Sequence, residues 1–417
     1  MDLELEGLNV ILRSKDPSDP AIFTGDPNYE PSEPLEGPNL PRLAYIVRVN
    51  PANAGLSLEN IVIDGGNKRG GVLHTFTAVT VGQLPTPFTL RNCTIKNCIT
   101  GVMGANSNAN SIVLRGCTVE KCQVGVMTAT SFNTLFNANT MAYHHPGVPR
   151  FCDFVGNQYD LIGIDDGEGG AYIEQSVPQN YWGTDDSGKL KTGPVVGVVV
   201  NNGEGNDIIE GRTAKVFSSP YYLDQTHGKL NVDLDTTQKE NGTAVLPLQQ
   251  PESGESDSLV LTADAFAALK EEGLAVSAPI KNSEGKDFAS WAFGEITNDT
   301  IETNLNISDK LSDQAQGTVD KLPETDRAKI LQEVNLSHNG TLPGRATIRI
   351  KASEVPDGDV SNLFLYWVKE DGTIVPAEVV DVQYDAETNE FIITVDHCSE
   401  YVITSGELTD VPAPTPT

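Results

Sequence analysis

Two stretches of the sequence repeat each other at a spacing of 24 residues. Leu90-Arg-Asn-Cys-Thr-Ile-Lys-Asn-Cys98 is followed by Leu114-Arg-Gly-Cys-Thr-Val-Glu-Lys-Cys122, and Gly101-Val-Met103 is followed by Gly125-Val-Met127. A fixed period in the low twenties, with apolar residues alternating inside each unit, is typical of a solenoid. The repeat therefore predicts that the first half of the chain is built from stacked coils.

The alternation inside each unit predicts that the coils are made of strands. Leu, Cys, Ile or Val, and Cys recur with the period of strands that bury one face, and no unit contains an amphipathic helix pattern. This favours a parallel β-helix over residues 1–241, in which equivalent side chains of successive coils stack about 4.8 Å apart. Lys96 is then expected beside Glu120 on the exposed surface.

Other coils are predicted from the same pattern on either side of the repeat. Segments 9–13, 58–64 and 150–157 repeat it, and 195–200 is a last apolar strand. Ile61 and Cys152 fall in the register of Cys93 and Cys117, at spacings of 32 and 35 residues. Because both spacings exceed 24, the sequence predicts regular coils separated by inserted loops.

The cysteines are expected to be interior packing residues. Four of the six lie in the two repeated units, where a buried free cysteine packs as a small hydrophobe. Stacked neighbours have parallel Cβ vectors, which is poor geometry for a disulfide, so Cys93 and Cys117 are predicted to be unlinked. No cysteine or histidine spacing matches a zinc site, and no metal is predicted from them.

The second half of the chain has a different pattern and is predicted to be a separate domain. Residues 242–258 are polar and contain Pro and Gly, which indicates a linker. Short strands separated by turn residues follow over 259–408 and predict a smaller antiparallel β-sandwich. The Pro- and Thr-rich residues 409–417 indicate a spacer.

One or two short helices are expected in this domain. The first is predicted over residues 263–272, with Thr262 as its N-cap and Gly273 after its end. A second helix is predicted over 326–333. The chain as a whole is therefore predicted to be mainly β, with a parallel β-helix followed by the sandwich-like domain.

The net charge of −30 disfavours several classes of partner. The charge is spread along the chain and repels nucleic acid and anionic membranes, so neither partner is expected. It also disfavours a strongly anionic polymer unless cations bridge the two. The sequence shows no signal peptide and no long apolar span. Because it opens directly in a strand-like segment and ends in a Pro- and Thr-rich spacer, we expect it to be a piece of a secreted or wall-attached parent protein whose export signal and anchor lie outside this piece.

Two parts of the chain resemble known families. Segments 55–66 and Asn180-Tyr-Trp-Gly183 resemble right-handed parallel β-helix proteins of the pectin-lyase-like class, and this resemblance covers residues 1–225. Segments 336–347 and His397-Cys-Ser-Glu-Tyr401 resemble a module of secreted, surface-anchored proteins of Gram-positive bacteria. The resemblance implies an extracellular or cell-wall location and leaves the activity open.

The strongest candidates for chemistry are acidic. Asp165, Asp166 and Glu168 form the densest acidic stretch, with Asp160 close by along the chain. They fit an acid/base pair or oxygen ligands for calcium, which is the one ion this sequence suggests. The alternative is a polar turn between coils, which we favour because the stretch contains no Arg or Lys to bind an acidic sugar.

The remaining candidates are aromatic residues and histidines. Phe76 and Tyr143 are candidate stacking surfaces for a sugar, with packing in the core as the alternative for each. Trp182 is predicted to pack at the end of the helix, where Gly183 relieves a crowded turn. His397 and Cys398 invite a Cys/His mechanism, but the acidic residues beside them would raise the pKa of the thiol.

Two hypotheses for function remain on the sequence alone. The first is a secreted or cell-surface β-helix protein that binds carbohydrate or a host ligand and is not an enzyme. The second is a polysaccharide lyase or glycoside hydrolase with acidic residues on the flank of the β-helix. The weak acid/base constellation favours the first hypothesis.

Overall fold

The computed structural model divides the chain into two compact units, Met1–Thr226 and His227–Thr417. It describes residues 11–24, 45–49, 56–74, 87–104, 111–144, 147–164, 175–201, 206–209, 216–217, 220–223, 228–252, 259–356, 360, 362–377, 381–409 and 411. The described parts of both units are mainly β, as predicted.

The first unit is a parallel β-helix with six coils of three strands among its described residues. Coils 1 to 3 are β1 (Ile11–Arg13), β2 (Ala21–Thr24), β3 (Tyr45–Val49); β4 (Ser57–Glu59), β5 (Ile61–Asp64), β6 (Gly70–His74); and β7 (Phe88–Arg91), β8 (Thr94–Lys96), β9 (Thr100–Met103). Coils 4 to 6 are β10 (Ile112–Arg115), β11 (Thr118–Glu120), β12 (Val124–Met127); β13 (Thr130–Phe132), β14 (Leu135–Asn137), β15 (Met141–His144); and β16 (Pro149–Arg150), β17 (Asp153–Val155), β18 (Tyr159–Ile164). The first, second and third strands of the coils form sheets A, B and C, and each sheet is parallel over these coils.

Five further strands follow in this unit: β19 (Gln175–Ser176), β20 (Val196–Asn201), β21 (Asn206–Ile209), β22 (Val216–Phe217) and β23 (Tyr221–Tyr222). Strand β20 extends sheet C in parallel, and β21 adds to β20 in antiparallel orientation. The apolar strand predicted at 195–200 is therefore confirmed as part of the solenoid.

The repeat defines the register of the central coils. Leu90 pairs with Leu114, and both side chains are fully buried. Lys96 pairs with Glu120 on sheet B, as predicted, and its ammonium also lies 3.9 Å from Asp64 on the preceding coil. All six cysteines are buried and free, in agreement with the predicted interior ladders.

One coil was missed in the sequence. The spacing of 35 residues between Cys117 and Cys152 is not one coil with a loop, because coil 5 lies between them. Thr134 occupies the cysteine position of that coil: the Leu135 amide donates to the Cys117 carbonyl, and the Asp153 amide donates to the Thr134 carbonyl. Thr118 pairs with Leu135 at a spacing of 17 residues instead of 24, and coil 5 has no cysteine, so the pattern that identified the other coils does not detect it.

The corners between the sheets explain why the repeated units carry asparagine or glycine at one position, as at Asn92 and Gly116. Between sheets A and B the chain turns at Asn60, Asn92, Gly116 and Asn133, all with positive φ. Asparagine and glycine tolerate this left-handed conformation better than other residues. The amide of each corner residue donates to a carbonyl of the next coil, for example Asn92 N to Arg115 O at 2.9 Å. The corners thus continue the stacking between the sheets.

Stacked aromatic rings fill the interior at the end of the coils. Phe136 stacks on Phe154 with ring centroids 4.8 Å apart, and Phe154 stacks on Trp182 at 4.7 Å. Gly183 has a φ of +72°, and a Cβ there would lie 3.1 Å from the Phe154 carbonyl oxygen. The prediction that Trp182 packs at the end of the helix is confirmed.

The second unit is built around a large mixed sheet. Its elements are β24 (Lys229–Asn231), β25 (Gln238–Glu240), β26 (Thr243–Val245), β27 (Leu248–Gln249), β28 (Val260–Leu261), α1 (Ala263–Glu271), β29 (Ala275–Lys281), β30 (Asp287–Phe293), β31 (Thr303–Asn304), β32 (Ile307–Ser308), α2 (Asp313–Val319), α3 (Glu324–Arg327), β33 (Ile330–Lys351), β34 (Phe364–Val368), β35 (Ile374–Pro376), β36 (Val382–Asp385) and β37 (Glu390–Thr404). The central path runs β25-β26-β29-β30-β33-β37-β34-β35. Strands β26 and β27 both pair in parallel with β29, so the sheet is not purely antiparallel.

The second unit begins earlier than the sequence suggested. Residues 228–249 were assigned to the end of the β-helix and to the linker, but β24 pairs with β28 and β26 pairs with β29. These strands therefore belong to the sheets of the second unit. Residues 253–258 of the predicted linker lie outside the described residues.

The helices of this unit differ in how well the sequence predicted them. Helix α1 begins after Thr262, whose hydroxyl accepts from the Ala265 amide, and ends one residue before the predicted end. The helix predicted at 326–333 is wrong beyond its first residues, because α3 ends at Arg327 and β33 begins at Ile330. Helix α2 was not predicted; Ser312 caps it by accepting from the Ala315 amide.

Candidate functional site

Most of the predicted site residues lie outside the described residues. These are Asp165, Asp166 and Glu168, which follow strand β18, and Phe76, which follows strand β6. Both strands belong to sheet C. The catalytic and calcium-binding roles suggested for the acidic stretch therefore stay predictions.

Tyr143 is a core residue and offers no stacking surface for a sugar. Its side chain is 1% exposed, its ring packs edge to face on Phe136 at 5.5 Å, and its hydroxyl donates to the Ala129 carbonyl. Burial raises the pKa of this hydroxyl. The alternative of core packing, considered for this residue from the sequence, is the one that the structure supports.

Asp160 is the acidic residue of this region that the structure describes. Burial raises its pKa to about 6, and its carboxylate accepts from the Val195 amide at 2.9 Å and from Asn157 Nδ2 at 3.2 Å. These contacts tie strand β18 to the start of β20. Asp160 therefore has a structural role in holding the last strands of sheet C.

The outer face of sheet A carries a row of arginines that the sequence analysis did not identify as a site. Residues at one position of successive strands pair in register to form this row, which we call the arginine column: Arg13, Glu59, Arg91, Arg115, Phe132 and Arg150. The preceding residues Leu90 and Leu114 are buried, so the column lies on the outer side of the sheet. Successive members are about 4.8 Å apart along the stack.

Three contacts hold parts of the column in place. Arg13 lies 3.1 Å from the Glu59 carboxylate, and the Arg115 guanidinium lies over the Phe132 ring at 4.5 Å from its centre. Arg150 donates to the Gln179 side-chain oxygen at 3.0 Å. Burial lowers the pKa of Arg150 to about 10, so this guanidinium remains charged at neutral pH.

The charge of this face is opposite to that of the whole chain. Glu59 is the one acidic residue on the described strands of sheet A, against four arginines. Sheet B mixes both signs, with Lys96 between Asp64 and Glu120. In a protein with a net charge of −30, the described strands of sheet A therefore carry a local excess of basic side chains.

Polar side chains lie on both sides of the arginine column. Ser57 and Thr89 occupy the neighbouring outward position of the same strands, and Asn60, Asn92 and Asn133 follow the column at the corner. Hydroxyls and amides bind neutral polar groups, while guanidinium groups bind carboxylate or sulfate with paired hydrogen bonds. On the described strands this face has no pair of carboxylates of the kind that glycoside hydrolysis requires. Among the described strands, this face therefore carries donors suited to an anion and no paired carboxylates.

A sequence signal for the column exists. The tripeptide Arg-x-Cys occurs at Arg91, Arg115 and Arg150, each time with the cysteine in the interior ladder. Since the cysteines stack, the arginines two residues earlier must stack as well. The three tripeptides are widely separated along the chain and form a column only when the coils stack.

Metal ligands of the usual kind do not cluster in the described residues. No group of three or more His, Cys, Asp or Glu side chains in that part of the chain could hold a metal ion. No helix among the described residues is long and apolar enough to cross a membrane.

We found no family model, no curated protein and no solved structure that matches the chain.

Proposed function

We propose that this is an extracellular or cell-surface protein whose β-helix, of the right-handed pectin-lyase-like kind, binds an anionic glycan along the arginine column. The observation that carries the proposal is the stacking of Arg91, Arg115 and Arg150 on one outer face. The resemblance of segments 336–347 and 397–401 to a surface-protein module of Gram-positive bacteria supports the location.

The chemistry of the column favours a carboxylated or sulfated polymer over a neutral one. A guanidinium group presents a planar set of donors that matches carboxylate and sulfate oxygens, and such charged hydrogen bonds are about twice as strong as neutral ones. Arg91 and Arg115 are one rung apart, and Arg150 is two rungs further. A chain lying along the solenoid axis would meet these groups in succession.

The negative charge of the rest of the protein does not prevent such binding at physiological salt. The screening length is then about 8 Å, so charges on distant surfaces are largely screened, whereas groups in contact with the ligand are not. Affinity is therefore determined by the column, and the overall charge mainly slows the approach of an anion.

A binding measurement with matched polymers tests the proposal. We expect the full chain to bind polyuronates or sulfated glycans and not neutral glycans of similar length. The double variant Arg91→Gln/Arg115→Gln removes two charged hydrogen-bonding groups and should weaken binding by at least about tenfold. Arg345→Gln, at an exposed position of the second unit, changes the charge in the same way and should leave the affinity unchanged.

Two results would contradict this proposal. One is binding restricted to neutral glycans, and the other is an affinity that the double variant leaves unchanged. The same samples should be assayed for bond cleavage. Depolymerisation that disappears in Asp165→Ala or Asp166→Ala would favour the lyase or hydrolase hypothesis over a binding protein.

A further inference from the structure

A second column of chemically related side chains lies on the outer face of sheet C. Met103 pairs with Met127, and Met127 pairs with His144, so three consecutive coils present two thioethers and one imidazole at the same position. We call these three residues the Met/His column. The residues before them, Val102, Val126 and Tyr143, are buried in the interior, which places the column on the outside.

From this register we infer that the Met/His column is a binding site for a soft monovalent cation, Cu(I). Thioether sulfur and imidazole nitrogen are the uncharged ligands that favour Cu(I) over Mg²⁺ or Ca²⁺. Adjacent members are about 4.8 Å apart along the sheet, so flexible methionine side chains on neighbouring coils can converge on one ion between them. This site is independent of the arginine column.

The surroundings of the column suit a soft ion. Leu73 pairs with Met103 on one side, and the buried Ile162 pairs with His144 on the other, so apolar residues border the column at both ends. The Tyr45 hydroxyl donates to the Met103 sulfur at 3.2 Å, which orients the thioether and leaves its second lone pair for a metal. Met103, Met127 and His144 are all partly exposed, so an ion can reach them from solvent.

The interior thiols are a competing destination for Cu(I) that the structure separates from this site. All six cysteines are buried, and those of the ladders are at most 2% exposed. The folded protein therefore offers the Met/His column to an external ion before it offers a thiol. Binding to the thiols requires opening of the coils.

Methionine methyl spectra of the full chain test this inference directly. The sequence has four methionines, Met1, Met103, Met127 and Met141. The protein labelled with ¹³C at the methionine methyl groups is titrated without oxygen with Cu(I) held by a chromogenic chelator, and Ag(I) serves as a redox-inert second probe. We expect the Met103 and Met127 signals to shift together and saturate at one equivalent, while the Met141 signal stays in place.

Conservative variants measure the contribution of each ligand. Met127→Leu keeps the size of the side chain and removes the sulfur, and it should weaken Cu(I) binding by at least about tenfold. Met141→Leu, on the same strand as His144 but outside the column, is the matched control and should bind like the parent. Unshifted Met103 and Met127 signals at one equivalent would overturn the inference, as would an affinity that Met127→Leu leaves unchanged.

Discussion

The guanidinium of Arg115 lies over the ring of Phe132, with its carbon 4.5 Å from the ring centre. The two residues are register partners on adjacent strands of sheet A. Phe132 is 8% exposed, and the arginine contributes to covering its ring. An aromatic residue in the arginine column thus orients a charge rather than offering a surface to a sugar.

This contact predicts a specific effect of Phe132→Leu. Leucine keeps most of the apolar packing and removes the interaction of the cation with the ring, so we expect a loss of about 1 kcal/mol in the free energy of unfolding. Urea denaturation measures this change. Because Arg115 then loses its orientation, the affinity for an anionic glycan should fall as well. An unchanged midpoint together with unchanged affinity would show that the ring does not order the arginine.

Substitution of Asn180 is expected to reduce stability more than Phe132→Leu does. Its buried side chain accepts from the Cys152 amide at 3.0 Å and donates to the Pro149, Val177 and Pro178 carbonyls at 2.9 to 3.1 Å. Asn180→Ala leaves these groups without partners in the interior and should cost roughly 3 kcal/mol or more. Hydrogen exchange, followed by mass spectrometry on peptides from coil 6, locates the loss.

Asn180→Asp separates hydrogen bonding from size. A carboxylate has nearly the same shape but cannot donate to the three carbonyls, so this variant should be at least as unstable as Asn180→Ala. Tyr181→Phe, at the neighbouring and partly exposed position, is the control and should have little effect. A stable Asn180→Asp protein would contradict the assigned hydrogen bonds.

The hydrogen bonds of Asp326 predict that the stability of the second unit depends on pH. Its buried carboxylate accepts from Lys329 at 2.7 Å and from the amide and hydroxyl of Thr409 at 2.9 and 2.8 Å. The hydrogen bond from Lys329 is the largest cause that lowers the pKa of Asp326, from 3.8 to about 2. Because the folded-state pKa is lowered, this stabilisation is complete above about pH 4 and is lost as the pH falls towards 2.

The matching variant is Asp326→Asn. At neutral pH it should cost roughly 2 kcal/mol, since three hydrogen bonds to a charged group are weakened. The difference in urea midpoint between the parent and the variant should shrink between pH 4 and pH 2. Asp287→Asn, at an exposed position of β30, should show no such convergence. A difference that is constant with pH would mean that the pKa of Asp326 is the same in the folded and the unfolded protein.

The sequence predicted the central coils because their interior positions repeat in chemistry as well as in spacing. Leu90, Leu114, Cys93 and Cys117 are buried in adjacent coils, so a size-matched repeat is needed to stack them without gaps. Thr134 occupies the cysteine position of coil 5, so the sequence pattern indicates a loop where the structure has a coil. A coil whose interior residue differs from that of the repeat is not detected in the sequence, even though its strands pair in register with their neighbours.

The candidate sites were harder to predict because they depend on relationships between coils. Arg91 and Arg115 pair on adjacent strands, and Arg150 joins the same column two rungs further, beyond Phe132 of coil 5. Tyr143 was an ambiguous candidate, since an aromatic residue after an apolar strand residue fits either face, and one residue of register decides between them. The helix predicted at 326–333 failed because β37 pairs with residues 330 onward, and this pairing overrides local helix propensity.

The cysteine ladders provide a prediction that tests the solenoid as a whole. Burial raises the pKa of the Cys117 thiol well above its usual value, and Cys93 lies next to it in the ladder. The hydrogen bond with Cys117 lowers the pKa of Cys93, so protection of that thiol against alkylation comes from its low exposure, whereas Cys117 is protected by both its low exposure and its raised pKa. We expect the native protein to resist iodoacetamide and the denatured protein to take up six carbamidomethyl groups without prior reduction, as measured by intact mass. Four adducts instead of six would indicate a disulfide within a ladder. Rapid labelling of the native protein would mean that the coils around Leu90 and Leu114 open far more readily than their complete burial implies.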